Sequence, residues 1–549
     1  MAVTGIFRTR ANSPLVKCLT TKMFAALVMS ASVAAAGQPV PLGSAVTVTG
    51  GMLIASPHNA QGILAFKGIP YAAPPVGPLR WRSPQPVAAW ATPRDTARYG
   101  ASCWSAFNPP GRPAPPQSED CLTLNVWTGA GNAREHRPVM VWIHGGGFVF
   151  GSSAGPTSDG SRLAERGVVV VSLNYRLGVL GFLAHPQLDR EGTPSGNFGL
   201  QDQIAALKWV KANIARFGGD PANVTVFGES AGAHSIGLLM ASPPARGLFH
   251  KTIGQSGAFW DSEHGSLSTK AEARKRGVSL TAALGVSTIA ELRALSPERL
   301  IAMTLWDFSK DPGTTNFAPS IDGYVVPKAP AAIFAAEKQA QIPLLVGWNS
   351  AEYLPFLARS LPATSAEAFR AAAKRMFGPV AMAEFDTIYP SQTPALLRAS
   401  AQNLIGDLVI SEQTWTWADL HARTSRQPSF AYYFDYRSPY SPVGAHAAEV
   451  PFVFGTLTSQ FFAPGAPAAG AADRQLAETM MTYWTNFAKH GNPSGAGIPA
   501  WPRVSKNHDE VMVFGGRTAL GPNQQLGRFR FLARYRKHGA LPFAWRGGS

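Results

Sequence analysis

The chain is poor in cysteine, poor in charge and free of long hydrophobic runs. Only three of its 549 residues are cysteine, and charged residues make up 15% of it. No apolar run approaches the roughly 20 residues that a membrane-spanning helix needs. Hydrophobic residues nevertheless make up 45% of the chain, which is enough for a large core. The composition therefore predicts a globular protein without stable membrane insertion and excludes a multispanning one.

The charge that is present is mostly positive. The formal net charge at pH 7 is +16, a balance that also occurs in nucleic-acid-binding proteins. The excess is concentrated at the two ends of the chain, and no basic run is interleaved with aromatic residues as a strand-binding groove requires. We therefore expect no nucleic-acid partner. Two interpretations stay open: an ordinary solvated basic surface, and attraction of anionic substrates or of an anionic cell envelope.

The N-terminal segment has the pattern of an export signal. Basic residues without any acid extend to Lys22, an apolar run follows at residues 23–33, and Ala34, Ala35 and Ala36 form a cleavage site. We predict a signal peptide at residues 1–36 and a mature protein at 37–549 that is periplasmic or secreted. The alternative is a surface helix that the mature protein retains.

The cysteines agree with export. Cys18 lies in the predicted signal peptide, so the mature chain keeps one pair, Cys103 and Cys121. The segment between them is rich in proline and has the composition of a loop. In an oxidising compartment a disulfide is expected, and two buried thiols are the alternative.

The order of the predicted elements is that of an α/β protein. Apolar or β-branched runs predict strands at 46–49, 64–67, 122–127, 139–143, 168–173, 224–227, 342–346 and 511–514, and residues 197–217 have the apolar spacing of a helix. Two strands are continuously apolar, as in a parallel sheet buried on both faces. We predict one doubly wound catalytic domain over 37–549. Helical insertions at about 265–310 and 355–440 would cap a site at the carboxyl ends of the strands.

A serine stands between two glycines directly after the predicted strand at 224–227. The residues are Gly228, Ser230 and Gly232, and small residues follow them. A strand that turns sharply into a helix strains its turn residue, and flanking glycines allow the backbone to pass closely. The pattern therefore predicts a nucleophile elbow, although its three fixed positions also occur by chance in a glycine-rich chain.

A serine hydroxyl needs a base, and the base needs an orienting carboxylate. In hydrolases with such an elbow, the acid and then the histidine follow the serine along the chain. Among the histidines after Ser230 we prefer His446, which lies in a small-residue loop before the apolar residues 450–454. Glu352 is the preferred acid because a short loop at 347–351 joins it to the strand at 342–346. Asp322 is the runner-up, and an aspartate that stabilises a turn is its other interpretation.

A developing oxyanion needs preorganised donors. His144 and the glycine run at 145–147 follow the predicted strand at 139–143. Glycines let backbone N–H groups turn toward one point without obstruction by side chains. We therefore predict an oxyanion hole at this loop.

Several longer motifs resemble one family, the type-B carboxylesterases, which also holds the cholinesterases. The elbow at 227–233 and the segment at 119–126 match the family pattern, and so do the segments at 66–72, 174–178, 196–200 and 446–455. The match runs from about residue 45 to about residue 515. The resemblance implies an α/β-hydrolase fold, with a central mostly parallel sheet, helices on both faces and helical cap insertions. It also implies hydrolysis of carboxylic esters through an acyl-enzyme, without a metal or cofactor.

The resemblance gives roles to individual residues. Ser230 would be the nucleophile, His446 the general base and acid, and Glu352 the orienting carboxylate. The oxyanion donors would be the N–H groups of Gly146, Gly147 and Ala231. Cys103 and Cys121 match the N-terminal disulfide of the family.

The sequence departs from the family at two places. Tyr353 follows Glu352 where glycine is common, so we expect a different shape of the acid loop. Trp104 directly follows Cys103, whereas the choline-binding indole of the cholinesterases lies well inside a longer loop. A cation–π site for choline is therefore not expected at this position, nor are choline esters expected as substrates.

The substrate is expected to be a small-molecule ester in an apolar pocket. Aromatic residues near the motifs are its predicted lining, and core packing is the other interpretation of each: Phe148, Phe150, Phe259, Trp260, Trp348 and Phe452. We expect an uncharged or weakly polar ester, and two alternatives stay open: anionic or aromatic esters of the mycotoxin type, and the esters of a lipase. A cholinesterase-like binding protein without activity would typically have lost a residue of the triad. A monomer and a homodimer are both compatible with the sequence.

Overall fold

The computed structural model describes residues 43–535 except 57–58, 60, 106–115, 193, 258–266, 305–316, 354–363, 458–464 and 506–508. Its strands are β1 (Ala45–Val48), β2 (Gly51–Ile54), β3 (Leu64–Pro70), β4 (Arg94–Asp95), β5 (Ser102–Cys103), β6 (Gln117–Ser118), β7 (Thr123–Thr128), β8 (Arg137–Ile143), β9 (Val169–Leu173), β10 (Gly219–Glu229), β11 (Lys251–Gln255), β12 (Leu344–Asn349), β13 (Ser429–Phe434), β14 (Glu510–Phe514) and β15 (Thr518–Pro522). Its α-helices are α1 (Ser161–Ala164), α2 (Gly178–Phe182), α3 (Pro186–Asp189), α4 (Phe198–Asn213), α5 (Ala231–Met240), α6 (Lys270–Leu284), α7 (Ile289–Ala294), α8 (Pro297–Ala302), α9 (Pro330–Ala335), α10 (Ala366–Phe377), α11 (Met382–Ile388), α12 (Pro394–Gly406), α13 (Glu412–Thr424), α14 (Val450–Phe454), α15 (Ala471–His490) and α16 (Leu526–Tyr535).

A ten-stranded sheet forms the centre of the fold, in the order β15-β14-β13-β12-β11-β10-β8-β9-β7-β3. From β14 to β9 in this order, neighbouring strands are parallel. The edge strands β15, β7 and β3 pair antiparallel. The mostly parallel central sheet confirms the predicted α/β class.

Alternating side chains of β8 enter two different hydrophobic clusters. Val139, Val141 and Ile143 belong to the cluster that includes residues of α4 and α5, whereas Met140 and Trp142 belong to the cluster that includes residues of α14 and α15. Successive side chains of a strand point to opposite faces. Helices therefore cover both faces of the sheet, which explains why residues 139–143 of this strand are all apolar.

The structure corrects the predicted end of one strand that bears on the site. The sequence predicts a loop at 347–351, but β12 continues to Asn349 because it pairs with β13 in register as far as Phe434. Only Ser350 and Ala351 then separate the strand from Glu352. The acid therefore lies closer to the sheet than the sequence predicts.

Helices occupy most of the two stretches predicted as insertions. Helices α6 to α8 lie in the stretch at 265–310, and α10 to α13 lie in the stretch at 355–440. The second stretch also contains β13, which belongs to the central sheet. Its helical part therefore ends with α13.

The structure joins Cys103 and Cys121 in a disulfide, as the family resemblance implies. Both residues are buried. In the chain-entropy model, closing a loop of this length stabilises a fold by about 3 kcal/mol. Among the helices given above, none combines the length and the apolar composition that crossing a bilayer requires.

Candidate active site

Ser230 occupies the sharp turn between β10 and α5. Its φ of 52° and ψ of −119° form a combination that a residue with a side chain adopts only under strain. The glycines beside it have no room for a side chain: a Cβ on Gly228 would lie 2.7 Å from the carbonyl oxygen of Ile143, and one on Gly232 would overlap the same atom. The two residues next to Ser230 are buried, while Ser230 is partly exposed. This turn has the geometry of a nucleophile elbow.

The glycine loop after β8 packs directly against this turn. A Cβ on Gly145 would lie 3.0 Å from the Cβ of Ser230. The next three residues, Gly146, Gly147 and Phe148, have φ values of 106°, 60° and 64°. Positive φ values of this kind are open mainly to glycine, and N–H groups in tight turns can form a concave surface that binds anions. The loop and the elbow therefore lie together, as an oxyanion hole requires.

Two further residues belong to this part of the site, His144 before the glycine loop and Ala231 after Ser230. His144 stacks on Tyr175 with ring centroids 4.5 Å apart, and its Nδ1 lies 2.8 Å from the carbonyl oxygen of Gly145. Burial lowers the pKa of His144 to about 4, so its ring is neutral at pH 7. Ala231 is the first residue of α5, and N–H groups at a helix N-terminus carry the positive end of the helix dipole.

Two loops bring Glu352 and His446 together. Ala351 and Ala445, the residues before them, form a parallel β-bridge. Glu352 Oε2 then lies 2.5 Å from His446 Nδ1. Both side chains are almost completely buried. The histidine and the acid that the sequence selects therefore form a hydrogen-bonded pair.

A second carboxylate faces the other nitrogen of the same imidazole. Glu229 Oε1 lies 3.0 Å from His446 Nε2, and the two side chains are 9% and 6% exposed. Glu229 directly precedes Ser230, so this contact also places His446 beside the elbow. The elbow pattern does not single out Glu229, because it constrains only the serine and the glycines.

A third acid, Glu449, is completely buried near this pair. It accepts hydrogen bonds from Gln255 Nε2 at 2.9 Å and from Asn349 Nδ2 at 2.6 Å. The Asn349 amide also donates to the carbonyl oxygen of Ala445, and its backbone N–H donates to Glu352 Oε1, each over 2.6 Å. Because Gln255 and Asn349 end β11 and β12, two strand ends fix both the acid loop and the histidine loop. Glu449 lies in the segment 446–455 that matches the family pattern, but that pattern gives it no role.

These three acids determine the electrostatics of the site. Burial by itself lowers the pKa of His446, but the carboxylates of Glu229, Glu352 and Glu449 outweigh it and raise that pKa to about 9. Burial raises the pKa of Glu229 to about 8, and the other two carboxylates act in the same direction against the opposing effect of His446. Burial also raises the pKa of Glu449. At neutral pH Glu229 and His446 together therefore keep at least one proton.

Asp322, the second candidate for the acid, stabilises the turn in which it lies. Its Oδ1 accepts the backbone N–H groups of Tyr324 and Val326 at 2.9 and 2.8 Å. Among the candidates that the sequence offers, it is Glu352 that contacts His446.

Two of the predicted pocket residues lie on the glycine loop. Phe148 is buried against Phe182, with ring centroids 5.4 Å apart, and Phe150 is half-buried. Phe259 and Trp260 fall outside the described residues.

Two other predicted pocket residues are core residues instead. Trp348 is completely buried on β12, where its indole nitrogen donates to Gln525 and its ring packs on Phe529. Phe452 is completely buried on α14 and packs on Phe434. Trp348 was predicted in a loop, but the extra length of β12 turns its ring into the core.

Within the described residues, no group of three or more His, Cys, Asp or Glu side chains could hold a metal ion.

Comparisons with known proteins identify the class of enzyme. The Carboxylesterase family model matches residues 44–531. The fumonisin B1 esterase of Sphingopyxis macrogoltabida is 39% identical over 470 residues, which cover 83% of this chain and 84% of that protein. The para-nitrobenzyl esterase of Bacillus subtilis (strain 168) is 36% identical over 466 residues, which cover 82% and 91%. A solved structure of a PNB esterase superposes with a TM-score of 0.75 at 34% identity and covers 89% of this chain and 99% of that one. This chain therefore belongs to the carboxylesterase family, has an α/β-hydrolase fold and is a carboxylic ester hydrolase.

Proposed function

We propose that the protein is a serine esterase in which Ser230 is the nucleophile, His446 the general base and acid, and Glu352 the orienting carboxylate. The observation that carries the proposal is the 2.5 Å contact between Glu352 and His446 beside the strained turn of Ser230. A serine, a histidine and a buried acid with these contacts support acyl transfer.

The proposed reaction has two half-reactions. Ser230 Oγ attacks the ester carbonyl carbon while His446 Nε2 takes the hydroxyl proton. The backbone N–H groups of Gly146, Gly147 and Ala231 hold the negative oxygen of the tetrahedral intermediate. His446 then gives the proton to the departing alkoxide. Water repeats the attack on the acyl-enzyme through the same base, and the acid is released.

The proposal is tested by the change Ser230→Ala. Loss of the nucleophile should lower kcat for p-nitrophenyl acetate by about 10³–10⁶-fold, because only binding and the oxyanion donors remain. A serine-directed organophosphate should label the wild-type protein at the peptide that contains Ser230 and leave the variant unlabelled. Ser44→Ala, at an exposed serine, is the matched control and should keep full activity. Near-normal hydrolysis by Ser230→Ala would reject the assignment.

For the substrate, we favour esters whose acid part carries a further negative charge. Without the four basic residues of the proposed signal peptide the formal net charge of the chain is +12, and it attracts anions over a distance of about 8–10 Å at physiological salt. A fumonisin B1 esterase is among the similar proteins, at 39% identity. The similarity to a para-nitrobenzyl esterase, at 36% identity, supports a neutral ester as the second candidate.

A comparison at two salt concentrations separates the two candidates. For p-nitrophenyl hemisuccinate, kcat/KM should exceed that of the neutral p-nitrophenyl butyrate at 20 mM salt and fall several-fold at 500 mM, because salt screens the attraction. Equal salt dependence of the two esters would favour the neutral candidate. A jump in activity above the solubility limit of a triglyceride would favour a lipase.

We also propose export after cleavage behind Ala36. The basic and apolar pattern at residues 1–36 and the disulfide between Cys103 and Cys121 support it, since structural disulfides persist in oxidising compartments. Intact mass of the protein recovered outside the cytoplasm should correspond to a chain that begins at Gly37. A chain that keeps residues 1–36 would contradict the proposal.

A further inference from the structure

Gly406, the last residue of helix α12, lies directly against the backbone of Glu352. A Cβ built on Gly406 would lie 3.1 Å from the Cβ of Glu352, 3.2 Å from its carbonyl carbon and 3.5 Å from its Cα. We propose that Gly406 is a positioning residue, whose lack of a side chain lets Glu352 take the place from which it orients His446. This inference deepens the serine mechanism proposed above and rests on the role that the mechanism gives to Glu352.

The backbone conformation at Gly406 does not require glycine. Its φ of −60° and ψ of −41° are those of an α-helix, where alanine is favoured because glycine loses more conformational freedom on folding. What distinguishes the position is its space. Outside its own helix, the three heavy atoms nearest to a Cβ on Gly406 all belong to Glu352. A glycine at this position therefore serves the close approach to the acid.

The end of α12 is anchored, so it cannot easily retreat from the acid. Asp407, the next residue, is 2% exposed and accepts the hydroxyl of Tyr389 at 2.9 Å. Its Oδ2 also lies 3.0 Å from Arg528 Nε. The two residues before Gly406, Leu404 and Ile405, are buried in the hydrophobic cluster that includes residues of α10 and α11. Moving this end of the helix would break a buried ion pair and open the cluster.

The loop that carries the acid has room to give way. Its Ala351 is bridged to Ala445, and the backbone N–H of Asn349 donates to Glu352 Oε1 at 2.6 Å. A cavity of about 300 Å³ borders Glu352 and Gly406. A methyl group at position 406 would therefore displace the acid loop by a few tenths of an ångström instead of unfolding the protein.

A shift of this size is enough to affect the reaction. Glu352 Oε2 lies 2.5 Å from His446 Nδ1, and both side chains are almost completely buried. A displacement of 1 Å at a catalytic group can cost about 10²-fold in rate, so we expect about tenfold from a shift of a few tenths. Because His446 is the base in both half-reactions, acylation and deacylation should slow together. The loss should then appear in kcat and leave KM nearly unchanged.

The test begins with Gly406→Ala. We expect kcat for p-nitrophenyl acetate to fall about tenfold, with KM within twofold of wild type. The urea midpoint of unfolding should stay close to that of wild type, because the helical preference for alanine offsets the strain of the new contact. Gly527→Ala is the matched control, since Gly527 lies exposed on α16 and a Cβ there would meet no atom within 4 Å. It should keep the wild-type kcat.

A double-mutant cycle shows whether Gly406 acts through the acid. In a Glu352→Gln background, Gly406→Ala should lower kcat by less than a further twofold, because the charge that has to be positioned is already gone. A merely structural role would lower kcat by the same factor in both backgrounds, and it would lower the urea midpoint. Either result would overturn the inference.

The outcomes separate this inference from the proposed mechanism. If Glu352→Gln keeps a near-normal kcat, the role of the acid itself fails. If Glu352→Gln is strongly impaired but Gly406→Ala stays within twofold of wild type, only the positioning role is refuted. Should Gly406→Ala not fold, Tyr389→Phe decides, since it removes the hydroxyl that anchors Asp407 beside Gly406. Its kcat should fall several-fold at unchanged KM, and a wild-type kcat would contradict the inference.

Discussion

The loop that faces Ser230 depends on Gly146, whose φ of 106° suits only glycine and whose Cα leaves no room for a Cβ beside the carbonyl oxygen of Phe150. Gly146→Ala should therefore displace the loop and the N–H donors that it carries. We expect kcat/KM to fall by about 10²–10³-fold, the loss that follows removal of one oxyanion donor. Gly155→Ala is the matched control, since Gly155 follows the same loop, has an extended φ of 176° and has no atom near its virtual Cβ. A Gly146→Ala enzyme within threefold of wild type would show that the loop does not hold the oxyanion.

Single substitutions can also decide which of the two candidate acids, Glu352 or Asp322, orients His446. Glu352→Gln keeps the shape of the side chain but removes the charge that faces His446 Nδ1. By analogy with the aspartate of serine proteases, we expect kcat to fall by about 10⁴-fold. Asp322→Asn should keep kcat within a few-fold, because Asp322 serves the N–H groups of its own turn. The reverse order of the two effects would exchange the roles of these acids.

Local sequence patterns predict some residues of the candidate site and miss others. The elbow glycines, the glycine loop and the chain order of serine, acid and histidine identified Ser230, Glu352 and His446, and the structure places the last two in contact. The patterns do not predict Glu229 and Glu449 as site residues, because this depends on which buried atoms the two side chains face. Contacts between segments that are distant in the chain decide it. No local pattern carries that information.

Among the secondary elements, the basic C-terminal helix α16 carries three arginines that form ion pairs with neighbouring segments. Arg528, Arg530 and Arg534 form ion pairs with Asp407, Asp509 and Glu384. The apolar residues of the helix, such as Phe531, pack in the core. These arginines therefore attach the end of the described chain to its neighbours.

These ion pairs should differ strongly in their contribution to stability. Asp407 is buried, lies 3.0 Å from Arg528 and accepts the hydroxyl of Tyr389 at 2.9 Å. Arg528→Met would leave this carboxylate without its cation, and we expect a loss of about 3–5 kcal/mol. Arg530→Met, whose pair with Asp509 is more than half exposed, should cost at most about 1 kcal/mol. Urea unfolding followed by tryptophan fluorescence measures both, and similar midpoints for the two variants would contradict the prediction.

The strands show which elements a local pattern can predict. Strands β8 and β9 are evident because continuous apolar runs suit a sheet buried on both faces. Strand β11 was missed because it begins with Lys251 and contains Gly254, yet it pairs in parallel with β10 and β12. The end of β12 was misplaced because its last residues are fixed by pairing with β13, some 85 positions later in the chain. Pairing between distant segments thus overrides local propensity.

For the whole molecule, buried ionisable groups predict how stability depends on pH. On the acid side, burial lowers the pKa of three histidines: His144 to about 4, His234 to about 3 and His421 to about 4. The unfolded chain binds these protons near pH 6.5, so the stability that the histidines contribute is present above that value and is lost as the pH falls toward 4. Asp407, whose pKa burial raises to about 6, opposes this loss in part, because the folded state holds its proton more tightly.

On the alkaline side the pair at the active site dominates. The pKa of His446 is raised to about 9, since nearby carboxylates outweigh burial, and burial raises that of Glu229 to about 8. In both cases the folded state holds a proton that the unfolded state has already lost, at a cost of up to about 1.4 kcal/mol per pH unit for each group. The stability that His446 contributes is lost as the pH rises from about 6.5 through 9, and that of Glu229 as the pH rises from about 4.5 through 8. We therefore expect Tm to be highest near pH 6–7 and to fall by pH 9, measured by scanning calorimetry at constant ionic strength. Glu229→Gln should flatten the alkaline decline, whereas Glu298→Gln, at an exposed glutamate on α8, should not. Because removal of the same proton frees His446 to act as a base, activity should rise over the range in which stability declines, and a Tm that stays constant from pH 7 to 9 would contradict this coupling.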